Sequence, residues 1–281
     1  MSRKITNFLS LAQNYRVLLF DVVGVVHNGI DAYPHVIESI NALTDIPQVI
    51  FLSNMPRPGT QTRTKLQNLG LTKEFDVLTS GDVTRTLLTT KYAGQKVYHW
   101  GGDRNQDIEE GLNLNLVTTI EQADVVLLTA FVEPDEDESS HSEIIEKIVH
   151  HNLPVLCANP DKVAMFGDKI RKCAGSIADK IIQQDGNVIL IGKPSPFIYH
   201  QILENLKGTK PEEILMIGDT IETDIIGAKQ VGIHSLLVLT GNTGNELQAH
   251  HETLDNYLNR KNWHQHAPTY YSDNLNFTLT N

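Results

Sequence analysis

Val17-Leu18-Leu19-Phe20 is an unbroken apolar run that ends on a carboxylate, Asp21. A strand with one wet face alternates apolar and polar residues, whereas a strand covered on both faces is apolar throughout. The run therefore asks for helices on both sides of a parallel sheet. Val49-Ile50-Phe51-Leu52, Val188-Ile189-Leu190-Ile191, Ile214-Leu215-Met216-Ile217 and Ser235 to Leu239 repeat the pattern. Helical stretches separate them: His35 to Leu43, Pro58-Gly59 through Leu69, Pro196 to Leu206, and Glu222 to Gln230. Gly70, Gly208 and Gly232 stand where three of these should stop. The alternation predicts an α/β fold built on a Rossmann-like parallel sheet.

The stretch from about Thr79 to Gly186 has its own αβ alternation. Its clearest strands are Lys96-Val97-Tyr98-His99, Val125-Val126-Leu127-Leu128 and Pro154-Val155-Leu156-Cys157, and its clearest helix is Glu136 to Ile148. The expected division is a discontinuous core, residues 1–78 and 187–281, interrupted by an α/β unit at 79–186. The acidic run Glu133 to Glu138 reads as a solvated loop and helix start, favoured by the helix dipole. Thr269-Tyr270-Tyr271 reads as an edge strand.

Composition narrows the function. The 281 residues carry 34 Asp+Glu against 23 Lys+Arg, a formal net charge of −11, which argues against a general nucleic-acid binder. An anionic small substrate stays open, because a local site decides its binding. No stretch approaches the ~20 apolar residues of a membrane span, and the N-terminus lacks a signal-peptide core. Asn276-Phe277-Thr278 matches a glycosylation sequon without a secretion signal to support it. Cys157 and Cys173 are too few for a disulfide framework, so the chain reads as cytoplasmic.

Four polar segments follow four of the apolar runs, where an open α/β sheet places its ligand site. They are Asp21-Val22-Val23-Gly24-Val25, Ser53-Asn54, Gly192-Lys193-Pro194, and Gly218-Asp219-Thr220 through Asp224. Each alone could be a cap or a turn. Together they supply what phosphoryl transfer needs. A carboxylate, Asp21, can act as nucleophile and split one displacement into two through an aspartyl phosphate. Carboxylates of Asp21 and Asp219 can hold a magnesium ion that neutralises phosphate charge. Ser53 and Lys193 can hold the remaining phosphate oxygens. Asp224 can bind a water of the metal or hold Lys193.

These four segments resemble, in order, the four motifs of the haloacid dehalogenase superfamily. Ala158-Asn159-Pro160-Asp161 is similar to the cap motif of its class IIA branch, the NagD-like sugar phosphatases and p-nitrophenyl phosphatases. The resemblance implies a parallel-sheet core with an inserted α/β cap, a magnesium-dependent hydrolase, and a small phosphorylated substrate such as a sugar phosphate. It further implies that Asn159 and Asp161 line the substrate pocket, that the Val23 carbonyl joins the metal site, and that the cap forms homodimer contacts. Asn54, after the second motif, is placed to reach a substrate phosphate.

Val23 departs from the pattern, because phosphatases of this superfamily carry a second Asp there. That Asp protonates the leaving alcohol and later activates water, and valine does neither. Losing such a group costs roughly 100- to 10,000-fold in rate. Three readings follow: a phosphatase with weak turnover, a non-catalytic protein binding a phosphorylated ligand, or an enzyme cleaving another bond by phosphonate hydrolysis or phosphotransfer. His27 is a candidate replacement acid, set against a plain loop histidine. Arg57, His99, Gly101, Gly102 and Asp103 are weaker candidates. The pairs His150-His151, His250-His251 and His264, His266 lack zinc-site spacing. Cys157 reads as buried packing, and Gly241-Asn242-Thr243-Gly244 lacks a nucleotide fingerprint.

Overall fold

The computed structural model describes residues 2–43, 48–101, 105–131, 141–166 and 169–275. The acidic run at 133–138, the start of the helix expected from Glu136, Gly102, Asp103 and the sequon at 276–278 lie outside the described residues. Strands in chain order are β1 (Arg3–Lys4), β2 (Val17–Phe20), β3 (Gln48–Ser53), β4 (Asp76–Thr79), β5 (Lys96–Trp100), β6 (Asn115–Val117) and β7 (Val125–Leu128). They continue as β8 (Val155–Cys157), β9 (Val163–Phe166), β10 (Lys169–Lys172), β11 (Val188–Leu190), β12 (Ile214–Gly218), β13 (His234–Val238) and β14 (Tyr270–Ser272).

Two parallel sheets organise them. The larger has seven strands in the order β1-β14-β13-β12-β2-β3-β4, and the smaller has five in the order β11-β8-β7-β5-β6. From β2 the chain winds outward through β3 and β4. It later returns to β12 on the other side of β2 and winds away through β13 and β14. That reversal opens a crevice at the carboxyl ends of β2 and β12, the usual ligand position in such a sheet.

All four residues of β2 and all five of β12 are buried, as their unbroken apolar character requires. One face of the large sheet packs Phe20, Phe51, Leu18 and Ile217 on Phe8, Ile40 and Leu66. The other face packs Leu19, Ile50 and Met216 in a cluster that continues into Val97, Leu127 and Leu156 of the small sheet. The two sheets therefore share one buried apolar body. An antiparallel hairpin, β9–β10, follows Asp161.

Two strand expectations need correction. Val188–Leu190 pairs with β8 in the small sheet and not with the large one. A short apolar run shows that a strand will be buried but not which sheet supplies its neighbour. Tyr270–Ser272 is not an edge strand, because it lies between β13 and the two-residue β1. The large sheet thus has an edge formed by exposed Arg3 and Lys4, charged as sheet edges tend to be. Among the described residues, no helix is long and apolar enough to cross a membrane.

Candidate active site

Asp21 follows β2 directly, and its backbone N–H donates to the Ile217 carbonyl of β12 at 2.8 Å. Its carboxylate is thereby aimed into the crevice beside Asp219, the residue after β12. Asp224 arrives by a wider path. Ile221–Ile225 forms a π-helical turn before the α-helix Ile226–Gln230, so the expected helix from Glu222 starts with an over-wide turn. Such turns recur at functional sites because they redirect a side chain. The carboxylate oxygens of Asp21, Asp219 and Asp224 come within 4.8 Å of one another, all three residues buried.

Lys193 sits among them. Its ammonium donates to Asp21 Oδ1 at 2.5 Å and to Asp224 Oδ1 at 2.7 Å, and only 2% of its side chain is exposed. Burial opposes its charge, yet the two carboxylates raise its proton affinity well above that of an ordinary lysine. The second oxygen of Asp224 accepts from Thr220 N–H at 3.1 Å. Asp224 is thus fully engaged in holding Lys193 and the loop.

Burial, then repulsion from Asp21 and Asp224, pushes the Asp219 carboxyl well above its usual range. Burial likewise raises Asp21 to about 7, against the pull of Lys193. Three carboxylates against one ammonium leave two formal negative charges uncompensated in this cluster. A hard divalent cation with oxygen preference fits that donor set and would keep both carboxylates ionised.

Backbone geometry clears the space. Gly24 has φ +97°, and a Cβ there would overlap the Asp219 carboxylate, as would a Cβ at Gly241. Asn242 N–H donates to Asp219 Oδ2 at 2.5 Å, leaving Oδ1 for another partner. Sequence reasoning set Gly241 and Asn242 aside for lack of a nucleotide fingerprint. The signal was available, since they stand in the loop after β13, at the same sheet edge as Asp219.

Ser53, at the end of β3, is buried, and its hydroxyl accepts from Met55 N–H at 3.3 Å. The hydroxyl proton remains available to donate. Asn54 is used differently. Its Oδ1 accepts from Lys193 N–H at 2.7 Å, while its amide donates to the Lys193 carbonyl at 2.9 Å and to Asp161 Oδ1 at 2.8 Å. Both amide hydrogens are occupied, so it positions Lys193 and Asp161 and has none left for a ligand. Asn159 Oδ1 accepts from Asp161 N–H at 3.2 Å, and Ser80 Oγ lies between the carbonyls of Met55 and Ala158 at 3.0 and 2.5 Å. These bonds tie the 158–161 motif onto the loop after β3.

One small cavity, about 60 Å³, is lined by Asp21, Ser53, Asn54, Asn159, Asp161, Lys193 and Asp219, with Val23 on its wall. The expected site residues are therefore brought together, apart from Asp224, which reaches the cavity only through Lys193.

Other candidates fall outside it. His27 is buried with Nδ1 accepting from Gly29 N–H at 2.9 Å, and burial, with Lys65 nearby, lowers it to about 4. A histidine held neutral in that way is a poor proton donor. His99 bonds Glu109 and Thr129 within the small-sheet unit. Arg57 pairs with Asp107 at 3.4 Å. Cys157 is fully buried, as expected of packing. Among the described residues the Asp21, Asp219, Asp224 trio is the only cluster of metal-ligating side chains.

Two family models match along the chain: a haloacid dehalogenase-like hydrolase model over residues 18–115 and a HAD-hydrolase-like model over residues 190–276. Between them they cover more than half of the sequence and both ends of the crevice. The chain belongs to the haloacid dehalogenase-like hydrolases. An acid sugar phosphatase of Staphylococcus aureus is 27% identical over 241 residues, spanning 82% of this hydrolase and 88% of the relative. The crystal structure of a haloacid dehalogenase-like hydrolase from Brucella suis is 29% identical with a TM-score of 0.74, over 83% of this chain and 88% of that one. NagD from Escherichia coli superposes with a TM-score of 0.65 at 22% identity, over 93% and 97% of the chains, and shares the fold with its inserted cap. The core sheet with an inserted second sheet is thus the fold that the motifs implied.

Proposed function

We propose that this hydrolase is a magnesium-dependent phosphatase of small phosphorylated metabolites, acting through an aspartyl phosphate on Asp21. The observation that carries the reading is the convergence of Asp21, Ser53, Lys193 and Asp219 in one cavity at the sheet's reversal point. The naming of its relatives as sugar phosphatases supports the substrate class. Asp21 and Asp219, with the Val23 carbonyl, are the groups that would hold magnesium, and Asp224, engaged by Lys193 and Thr220, would support them from behind. When bound, the ion offsets the charge of the phosphate.

Lys193 fixes one oxygen of Asp21, leaving the other to attack phosphorus in line with the ester oxygen. As the new P–O bond forms, the ester P–O bond breaks and its electron pair leaves on the departing oxygen. Ser53 and Lys193 hold the non-bridging oxygens meanwhile. Water then attacks the phosphorus of the aspartyl phosphate, returning the Asp21 carboxylate and releasing inorganic phosphate. The unit at 79–186, together with β11, acts as the cap over the core formed by 1–78 and the chain after β11, and Asn159 and Asp161 face the substrate from it.

Val23 supplies no proton to the leaving oxygen, and neutral His27 does not replace it. Esters with acidic leaving groups should therefore turn over well and alkyl phosphates poorly, by the roughly 100- to 10,000-fold worth of a general acid. A metal-dependent assay over alkyl and aryl phosphates tests this, with Asp21→Asn expected to abolish turnover. Val23→Asp should raise alkyl-ester turnover selectively. Metal-dependent ligand binding without any turnover would instead favour the non-catalytic reading.

A further inference from the structure

Val23 leaves the departing oxygen without its usual proton donor, yet one carboxyl of the catalytic cavity has no part in attacking phosphorus or holding the metal. Among the described residues lining that cavity, four side chains titrate: Asp21, Asp161, Lys193 and Asp219. Asp21 is the nucleophile, Asp219 is assigned to the metal, and the Lys193 ammonium is taken by Asp21 and Asp224. Asp161 remains. Its Oδ1 accepts from the Asn54 amide at 2.8 Å, and Oδ2 has no hydrogen-bond partner among the described residues. The backbone beneath it is fixed, since its N–H donates to Asn159 Oδ1 and its carbonyl accepts from Gly175 N–H, both at 3.2 Å. Gly175 lies so close that a Cβ there would overlap the carbonyls of Pro160 and Asp161. The carboxyl is thus held on a rigid loop with one oxygen left to act.

Its surroundings keep a proton on it. Burial raises the proton affinity of Asp161 to about 6, against the attraction of Lys193 and the Asn54 hydrogen bond. Asp224 and Glu222 of the π-helical turn repel its charged form, and Asp21 lines the same cavity. Lys162, next in the chain, is committed to Asp179 at 3.0 Å and Glu222 at 3.1 Å. The thiols of Cys157 and Cys173 stay neutral, because burial raises both. In mildly acid solution Asp161 therefore keeps a proton that an ordinary aspartate has lost. An uncharged carboxyl facing the scissile ester is the state that general-acid catalysis requires.

We propose that Asp161, carried by the cap, is the proton donor to the leaving oxygen in place of the acid absent at Val23. The inference rests on the phosphatase reading and adds a catalytic residue to it. As the ester P–O bond breaks, the Asp161 O–H bond breaks with it. The proton passes to the electron pair on the departing oxygen, and the alcohol leaves neutral. The carboxylate left behind accepts a proton from the water that attacks the aspartyl phosphate, which restores the carboxyl. Alkyl-ester turnover, slow for want of an acid at Val23, is then confined to the pH range in which Asp161 is protonated.

The test compares phenyl phosphate with benzyl phosphate across about pH 5 to 8 in the full-length protein with magnesium. The two esters are close in size, but phenoxide leaves without a proton and the benzyl alkoxide does not. Their kcat/KM values report the steps through P–O cleavage and leave out the later hydrolysis common to both. The benzyl-to-phenyl ratio also cancels any titration that both share, the nucleophile's included. In the wild type this ratio should fall about tenfold per pH unit once Asp161 has lost its proton. In Asp161→Asn, which keeps the acceptor for Asn54, the ratio at about pH 5 should be lower by roughly 100-fold or more and should no longer vary with pH. A wild-type ratio independent of pH would overturn the inference without recourse to any variant. Equal losses for both esters in Asp161→Asn would likewise overturn it, leaving Asp161 a positioning residue and the phosphatase reading intact. Absence of turnover of either ester by the wild type would sink the phosphatase reading and the inference with it.

Discussion

Asn54 is one residue after Ser53, and its place in the second motif suggested that it would reach a substrate phosphate. It lines the catalytic cavity, and its amide spans Lys193 and Asp161, two segments more than a hundred positions away in the chain. Residue type shows that an amide can bond in several directions, and only the fold shows which partners arrive. Truncation to Asn54→Ala strands a buried N–H and a buried carbonyl on Lys193, each costing about 1–3 kcal/mol. The expected outcome is a stability loss of roughly 2–4 kcal/mol in denaturant titration, with catalysis impaired through a misplaced Lys193. Asp21 and Asp219, by contrast, were legible residue by residue, because each directly follows a buried strand at the sheet's carboxyl edge. Asp224 was legible as a partner of Lys193 from its place about one helical turn beyond that loop.

Among the elements, the buried parallel strands declared themselves, since covering both faces forces unbroken apolar runs. β1 and β6 did not, because four of their five residues are exposed and carry no pattern. The helices Asn242–His250 and Leu254–Arg260 and the strand β10 were missed because polar residues dominate them, whereas β9, the apolar run Val163–Phe166, was overlooked. The turn from β2 through Gly24 offers an element-scale test. Gly24 has φ +97°, and a methyl there would press on Asp219. In Gly24→Ala the fold should survive at a cost of about 1 kcal/mol or more, while the rise in Tm on adding magnesium disappears. A retained magnesium-dependent rise would separate Asp219 from the metal site.

For the molecule as a whole, the seam between cap and core carries a buried carboxyl, Asp161, that should make stability depend on pH. Burial pushes Asp161 up to about 6, against Lys193 and the Asn54 hydrogen bond. In the unfolded chain an Asp titrates near 3.9. Between these values the folded protein holds a proton that the unfolded chain has released, so folding is favoured at the acidic end. That contribution is present below about 4 and is lost as pH rises through about 6, amounting to roughly 2–3 kcal/mol. The stability difference between the wild type and Asp161→Asn should therefore shift against the wild type from pH 4 to pH 7. A pH-independent difference would mean that Asp161 keeps an ordinary proton affinity.

The apolar cluster shared by the two sheets has a consequence for how such a molecule diversifies. Leu19 and Ile50 of the large sheet and Val97, Leu127 and Leu156 of the small one belong to one buried body. Substitutions on that face of the insert must suit the catalytic half as well, which holds them to compatible volumes. Freedom to vary is left to the surfaces away from it, and Phe131, Asn159, Asp161 and Ala164 are insert residues that line the catalytic cavity. Such a molecule can therefore change what it accepts through a few cavity-lining residues while the two-sheet body stays almost unaltered.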